Sequence, residues 1–280
     1  VSDAAIVVGT GSTPLRLLSL TSSTGEPLSP MEAARQLQVE VGDTLPLVGL
    51  TEQDSLERLS SEVSRSESFW CRRLQEFEPL ELPWMGRERS AENTIRRDVN
   101  LVPLTSGFGP SELLTMICAW FARVGGRTRF SIPIRGWGDQ GKMIPGVTSP
   151  HALASVAIDL DASFQNNLHN FEGELKRLSE RPPWLLDLIA RDPFLSSQPR
   201  LRKGELSSLE IALESDFDTA SLGTGVALAV LLDGSGERCQ LLADAACVTA
   251  TDLDEMADQI TAMMHSIRAN PSSPVGLADL

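Results

Sequence analysis

The chain has 280 residues, of which 41% are hydrophobic and 22% are charged, a balance that supports a folded core and excludes extensive disorder. Its formal net charge of −14 argues against a nucleic-acid partner, because phosphate groups would be repelled. No segment approaches the roughly 20 consecutive apolar residues of a membrane span. We therefore expect a soluble, cytoplasmic protein that binds neither nucleic acid nor membrane.

The N-terminal part, residues 1–66, carries short apolar runs and polar helices. The runs Ile6–Val8 and Leu15–Leu20 are typical of short strands. The sequence Ser29-Pro30-Met31-Glu32 predicts a helix start, with serine as N-cap, proline at the first position and an acid in the first turn. A second polar helix is predicted over roughly Gln53–Val63, and the next segment, Phe69–Phe77, places Trp70, Leu74 and Phe77 on one face.

The C-terminal part alternates strongly apolar helices with buried strands. Pro110 begins an apolar helix that ends at Gly125-Gly126, and Phe130–Ile134 is predicted as a buried strand. This alternation indicates an α/β sandwich. The remaining predicted elements are strands at Thr94–Leu104, Leu153–Leu160, Leu206–Leu213, Val226–Leu232 and Gln240–Ala243, and helices near Phe164–Leu178 and Asp252–Arg268.

The cysteines give no indication of a metal site. None of the four forms a CxxC pair or has a histidine at ligand spacing, so we expect free thiols in a reducing compartment and no zinc. They are Cys71, Cys118, Cys239 and Cys247.

Several short motifs follow one another in a recognisable order. Phe69-Trp70-Cys71-Arg72-Arg73-Leu74 is followed by Phe130-Ser131-Ile132-Pro133-Ile134-Arg135-Gly136, then by Val156-Ala157-Ile158-Asp159 with Ser163-Phe164, and finally by Asn270-Pro271. This order resembles the condensation domains of nonribosomal peptide synthetases, which have the chloramphenicol-acetyltransferase-like fold. The resemblance covers about three quarters of the chain.

The resemblance implies an α/β, chloramphenicol-acetyltransferase-like sandwich made mainly of the C-terminal lobe with a reduced N-terminal lobe. It divides the chain into residues 1–66, a reduced lobe or accessory segment, residues 67–268, the condensation-like lobe, and residues 269–280, a linker or tail. The chain departs from the family in lacking its catalytic HHxxxDG loop. The only histidines are His151, His169 and His265, and no two are adjacent.

His151 is the one weak catalytic candidate, because it alone is predicted in a loop beside a strand. His169 falls off the apolar face of its helix, and a surface or boundary position is expected there. His265 lies near the end of the last helix. A plain structural or solvent-facing role for His151 is the competing interpretation.

Two segments are candidates for binding. The turn with Ser106, Gly107 and Gly109 precedes a helix N-terminus, which favours an anion such as a phosphopantetheine phosphate, although most such turns are only turns. In the glycine-rich loop, Trp137, Asp139 and Lys142 form a possible partner contact. The alternative for Trp137 is a side chain folded back over the core.

The resemblance and the missing loop together predict a noncatalytic condensation-like scaffold or docking domain. Its expected partners are a carrier protein, an adenylation domain or a trans-acting tailoring enzyme. No cofactor is expected on the chain itself, and phosphopantetheine is presented by the carrier protein. One alternative is part of an active condensation or acyltransferase domain whose HHxxxDG lobe lies upstream or on a partner chain. Another is an unrelated acyl-binding protein of similar architecture.

Overall fold

The computed structural model describes most of the chain. No helix among these residues is long and apolar enough to cross a membrane. The described residues are 5–10, 12–17, 20–21, 27–44, 50–82, 85, 93–101, 109–138, 144 and 146–280.

The N-terminal part contains two small antiparallel sheets and a short helix. Strands β1 (Ile6–Val8) and β2 (Leu15–Leu17) pair in one sheet, and β3 (Leu20–Thr21) and β4 (Pro27–Leu28) pair in the other. Helix α1 (Pro30–Gln36) begins as the sequence predicts. The hydroxyl of its N-cap serine accepts a hydrogen bond from the backbone N–H of Glu32, whose carboxylate accepts one from the serine N–H.

One helix of 26 residues, α2 (Leu50–Gln75), replaces the two separate segments predicted from the sequence. The polar stretch between them contains neither proline nor glycine, so nothing interrupts the backbone hydrogen bonds. The buried Trp70 fixes its C-terminal half, because the indole Nε1 donates to the carbonyl oxygen of Pro182 at 3.0 Å. The predicted boundary between residues 66 and 67 falls inside this helix.

A mixed six-stranded sheet forms the centre of the fold. Three of its strands run parallel to one another, and the other three pair antiparallel. In chain order the strands are β5 (Thr94–Val99), β6 (Arg129–Arg135), β7 (His151–Ala157), β8 (Leu209–Leu213), β9 (Leu228–Leu232) and β10 (Cys239–Asp244). Their order across the sheet is β5-β10-β9-β8-β6-β7, so β7 is an edge strand.

Three long helices share one buried cluster with alternate residues of these strands. They are α3 (Pro110–Val124), α4 (Phe164–Ser179) and α8 (Ala250–Ala269). Strand side chains such as Ile132, Ile211 and Val230 are almost completely buried in this cluster, as the period of two in a half-covered sheet requires. Three short helices follow α4, namely α5 (Leu188–Arg191), α6 (Pro193–Ser196) and α7 (Pro199–Arg202).

The C-terminal segment predicted as a linker or tail packs on this domain. Val275–Leu277 forms a short 3-10 helix, and the side chain of Val275 is buried in the main core. The backbone N–H of Gly276 donates to the carbonyl oxygen of Leu160 at 2.8 Å.

The other face of the sheet carries a smaller buried cluster. Phe217 and Val226, in the segment that connects β8 to β9, pack against Ala229, Leu231 and Leu242. This cluster covers only part of the face. Beside it, the same face carries the polar residues Arg135 of β6, His151 of β7 and Glu210 of β8.

Candidate functional site

Three adjacent strands bring an imidazole, a guanidinium and a carboxylate together. His151 begins β7 and lies opposite Arg135, the last residue of β6. Arg135 lies in turn opposite Ala212 of β8, so Glu210, two residues earlier, points to the same face. The strand register therefore determines this arrangement.

Glu210 is the centre of the group, with a side chain that has no solvent exposure. Its Oε1 lies 3.0 Å from Nη2 of Arg135, and its Oε2 lies 3.2 Å from Nε2 of His151. Burial of a lone carboxylate is costly, and a charged, hydrogen-bonding partner offsets that cost. Arg135 is such a charged partner for Oε1, and the ring nitrogen of His151 lies at hydrogen-bonding distance from Oε2.

Arg135 connects the buried carboxylate to the surface. Its Nη1 lies 2.8 Å from Oε1 of Glu214, and its Nη2 also donates to the carbonyl oxygen of Ser221. Among the described residues, the buried Nε of Arg135 and Nε1 of Trp137 have no hydrogen-bond partner. Two donors near the end of β6 are thus unused.

The backbone around His151 is held from two sides. Its N–H donates to Oγ of Ser149 at 3.1 Å, and its carbonyl oxygen accepts from Nε1 of the buried Trp184 at 3.2 Å. Across the site Gly223 approaches closely, because an added Cβ would lie 3.1 Å from Oε2 of Glu210. A side chain at this position would therefore press closely on the buried carboxylate.

His151 and Glu210 also line a cavity of about 190 Å³. Pro133, Trp184, Ile189 and Val226 contribute apolar walls. The volume is smaller than that of most ligand pockets, which measure about 300–1,000 Å³. The cavity suits a small, mainly apolar group placed beside an imidazole that is hydrogen-bonded to a carboxylate.

The other two histidines of the sequence do not belong to this site. His169 on α4 and His265 on α8 are both exposed, as the sequence predicts for His169. His151 is 18% exposed at its side chain and is the histidine that lines the cavity.

The predicted phosphate-binding turn is described only at Gly109. This residue is the N-cap of α3, and its N–H donates to Oε2 of Glu112 at 2.8 Å. A carboxylate therefore already uses the donor that a phosphate would need. Ser106 and Gly107 lie outside the described residues, and the phosphopantetheine site stays a prediction that Glu112 disfavours.

The predicted partner contact is described only at Trp137. Its side chain is partly buried and packs against the main core, which is the alternative that the sequence left open. Asp139 and Lys142 lie outside the described residues, so a contact at this loop stays a prediction.

Sequence reasoning missed Glu210 and Arg135. The available signal was a single acid in the apolar run Leu209-Glu210-Ile211-Ala212-Leu213, because a charge inside a buried strand needs a partner. The identity of that partner was beyond the local pattern, since Arg135 and His151 lie 75 and 59 residues away in the chain.

Comparison with known proteins identifies the fold. No protein-family model matches the chain, and no curated protein is recognisably similar to it in sequence. Solved structures are similar in shape at low sequence identity. The X-domain from teicoplanin biosynthesis aligns with a TM-score of 0.59 and 12% identity over 95% of this chain and 71% of its own.

Condensation domains give comparable matches. The starter condensation domain of rhizomide synthetase RzmA aligns with a TM-score of 0.55 and 17% identity over 89% of this chain and 62% of its own. The first condensation domain of the calcium-dependent antibiotic synthetase aligns with a TM-score of 0.55 and 15% identity, over 88% of this chain and 61% of its own. The chain thus spans about three fifths of the length of these condensation domains. Its fold is that of the condensation domains of nonribosomal peptide synthetases, a chloramphenicol-acetyltransferase-like α/β architecture.

Proposed function

We propose that this chain is a noncatalytic condensation-like domain of a nonribosomal peptide synthetase that serves as a scaffold or docking unit. Its partner is an adenylation domain, a carrier protein or a tailoring enzyme. The fold supports this proposal, and so does one structural neighbour, the teicoplanin X-domain in complex with OxyB, which aligns at 14% identity with a TM-score of 0.59.

The bonding of His151 is the observation that carries the proposal. Amide formation between two substrates needs a base or hydrogen-bonding group beside the attacking amine. Nε2 of His151 already contacts Glu210, and the same carboxylate binds Arg135. The imidazole thereby completes the pairing of a buried strand carboxylate, and this structural role accounts for its position without any reaction.

A second function is favoured by a different observation. An imidazole bound to a carboxylate beside an apolar cavity is also an arrangement that positions a base. The chain in addition spans only 62% of the RzmA starter condensation domain. Both facts fit part of an active acyltransferase whose HHxxxDG lobe lies upstream or on a partner chain.

A binding and turnover experiment separates the two functions. The purified chain and its His151→Ala variant are titrated with holo carrier protein and adenylation domain from the same synthetase, and amide formation from loaded carriers is followed by mass spectrometry. The docking role predicts partner binding that His151→Ala leaves unchanged, with product formation at the level of a protein-free blank. Product well above the blank that is lost in His151→Ala contradicts the docking role and supports the acyltransferase. In either case phosphopantetheine arrives on the carrier protein.

A further inference from the structure

A second and larger concavity lies away from His151. The last turns of α2, the end of β7 and the outer side of α4 enclose a groove of about 630 Å³. Four arginines line it, Arg72 and Arg73 from α2 and Arg177 and Arg181 from the end of α4 and the residues after it. We call this the arginine groove. Phe69, Glu76 and Glu174 also contribute to its lining.

Glu174 organises the floor of the arginine groove. The residue is only 3% exposed, and its Oε1 lies 2.8 Å from Nη1 of Arg73. Its Oε2 lies 3.0 Å from Nη2 of Arg177, and its Oε1 also accepts the backbone N–H of Ser155 at 2.9 Å. One carboxylate thus serves two guanidinium groups, which leaves an excess of positive charge.

An aromatic ring orients two of the cations. The guanidinium carbon of Arg181 lies 4.0 Å from the ring centroid of Phe69, and that of Arg73 lies 5.1 Å from it. Stacking on a ring is favourable for guanidinium and holds its N–H groups in a fixed plane. The arginines are therefore partly pre-organised, which lowers the entropy lost on binding a ligand.

Arg72 supplies charge that the fold does not use. It is exposed, and its side chain forms no ion pair or hydrogen bond with another residue in the described part of the chain. The groove lining holds four arginines and two glutamates, whereas the whole chain has 24 basic and 38 acidic residues. The local charge therefore has the opposite sign to that of the molecule.

Helix dipoles explain only part of this arrangement. Arg72, Arg73 and Arg177 lie in the last turns of their helices, where cations are favourable. That effect does not require two helix ends to face one groove, nor a ring between their arginines. The presence of four arginines in one groove therefore needs a further explanation.

We propose that the arginine groove binds a carboxylate-rich segment of a partner protein. The cations come from both walls and do not converge on a single point, which suits several carboxylates spaced along a chain. Two guanidinium groups of the groove, those of Arg73 and Arg177, already bind one carboxylate, that of Glu174, in ion-pair geometry. The groove volume accommodates several side chains. The inference gives the proposed docking role its surface and to that extent rests on it.

The direct test is binding of a fluorescein-labelled peptide of alternating Glu and Ala, followed by fluorescence anisotropy. We expect saturable binding that weakens as the NaCl concentration is raised, because the ion pairs between the peptide carboxylates and the arginines of the groove are only partly buried and are screened by salt. The variant Arg72→Glu is expected to weaken binding by about tenfold or more, since it replaces attraction with repulsion. It should fold normally, because Arg72 is exposed and unpaired.

Arg65→Glu is the matched control. Arg65 is exposed on the same helix two turns before Arg72, and it does not line the groove. The Arg65→Glu variant changes the net charge by the same amount as Arg72→Glu. It is expected to alter the affinity for the peptide by about twofold or less, because the distance from Arg65 to Arg72 along the helix is close to the Debye length. Equal losses in the two variants would reduce the effect to general charge attraction and overturn the proposal. Tighter binding of a phosphoserine peptide of equal charge would show a phosphate site instead.

A second experiment tests this inference separately from the docking role. The carrier and adenylation proteins of the same synthetase are titrated against the wild-type chain and Arg72→Glu. A partner that binds both equally leaves the docking role standing and removes the arginine groove as its surface. Saturable peptide binding without binding of either synthetase partner leaves the groove standing and removes docking to the carrier and adenylation proteins.

Discussion

Glu210 is the buried carboxylate at the centre of the candidate site. Its carboxylate is completely buried, and the next two strands on one side of it, β6 and β7, provide a guanidinium and an imidazole. Removal of one partner from a buried ion pair leaves an uncompensated charge, which costs far more than the loss of a surface pair. The group should therefore behave as a structural unit.

We predict that Glu210→Ala lowers the free energy of unfolding by about 3 kcal/mol or more, because Arg135 loses its buried counter-charge. The control is Glu214→Ala, which removes the partly exposed partner of the same arginine and should cost about 1 kcal/mol or less. Urea denaturation followed by circular dichroism measures both. Similar values for the two variants would mean that Arg135 does not depend on Glu210.

Helix ends are the elements that local sequence specifies most completely. Helix α8 begins at a capping box, in which Oγ1 of Thr249 accepts from the N–H of Asp252 at 3.2 Å. The carboxylate of Asp252 accepts in return from the N–H of Thr249 at 3.1 Å and from its hydroxyl at 2.7 Å. Because α8 covers β5 and β10 through its apolar side, its first turn contributes to the stability of the sheet edge.

We predict that Thr249→Ala lowers the free energy of unfolding by about 1 kcal/mol at neutral pH. Thr251→Ala, at an exposed position two residues later in the helix, is the control and should leave stability unchanged or slightly higher. Thermal denaturation of the two variants gives the comparison.

The same cap makes part of the stability depend on pH. The hydrogen bonds from the Thr249 side chain and backbone lower the pKa of Asp252 below its ordinary value. A carboxyl group with a lowered folded-state pKa stabilises the protein above its unfolded pKa, and this contribution disappears as pH falls through the folded pKa. The difference between wild type and Thr249→Ala should therefore shrink below the ordinary aspartate pKa of about 3.9.

At the element scale the sequence predicted helix α3 well and helix α2 poorly. Pro110 and Gly125 mark the ends of α3 through backbone chemistry that acts locally, and the structure confirms them. The two halves of α2 differ in composition, so periodicity separated them, although the stretch between them contains no proline or glycine that would interrupt a continuous helix. The contacts of Glu210 with Arg135 and His151 could not be predicted, because strand order joins residues that are distant in the chain.

Across the whole molecule, exposed apolar side chains concentrate in the N-terminal part. Val7, Leu15, Met31, Leu37 and Val41 are all more than half exposed, at 58%, 54%, 59%, 64% and 80%. The strands β1 to β4 form two sheets of their own, and none of the described residues before Trp70 is among the buried members of the main cluster. The stability of the six-stranded sheet should therefore depend little on residues 5–44.

We predict that deletion of residues 1–44 shifts the thermal midpoint of the main unfolding transition by no more than about 4 °C, which corresponds to roughly 1 kcal/mol in a protein of this size. The control is Trp70→Ala, which removes a fully buried ring and should cost about 3–5 kcal/mol. Differential scanning calorimetry compares the two. A deletion that lowers the midpoint as much as Trp70→Ala would show that the N-terminal part is required for the core.

Helix α2 joins that N-terminal part to the arginine groove. Its 26 residues make a rod about 39 Å long, with Arg72 and Arg73 on its final turn. The bond of Trp70 to Pro182 and the ion pair of Arg73 with Glu174 anchor its last turns to the core, so the position of this helix end is set there and not by contacts made near Leu50.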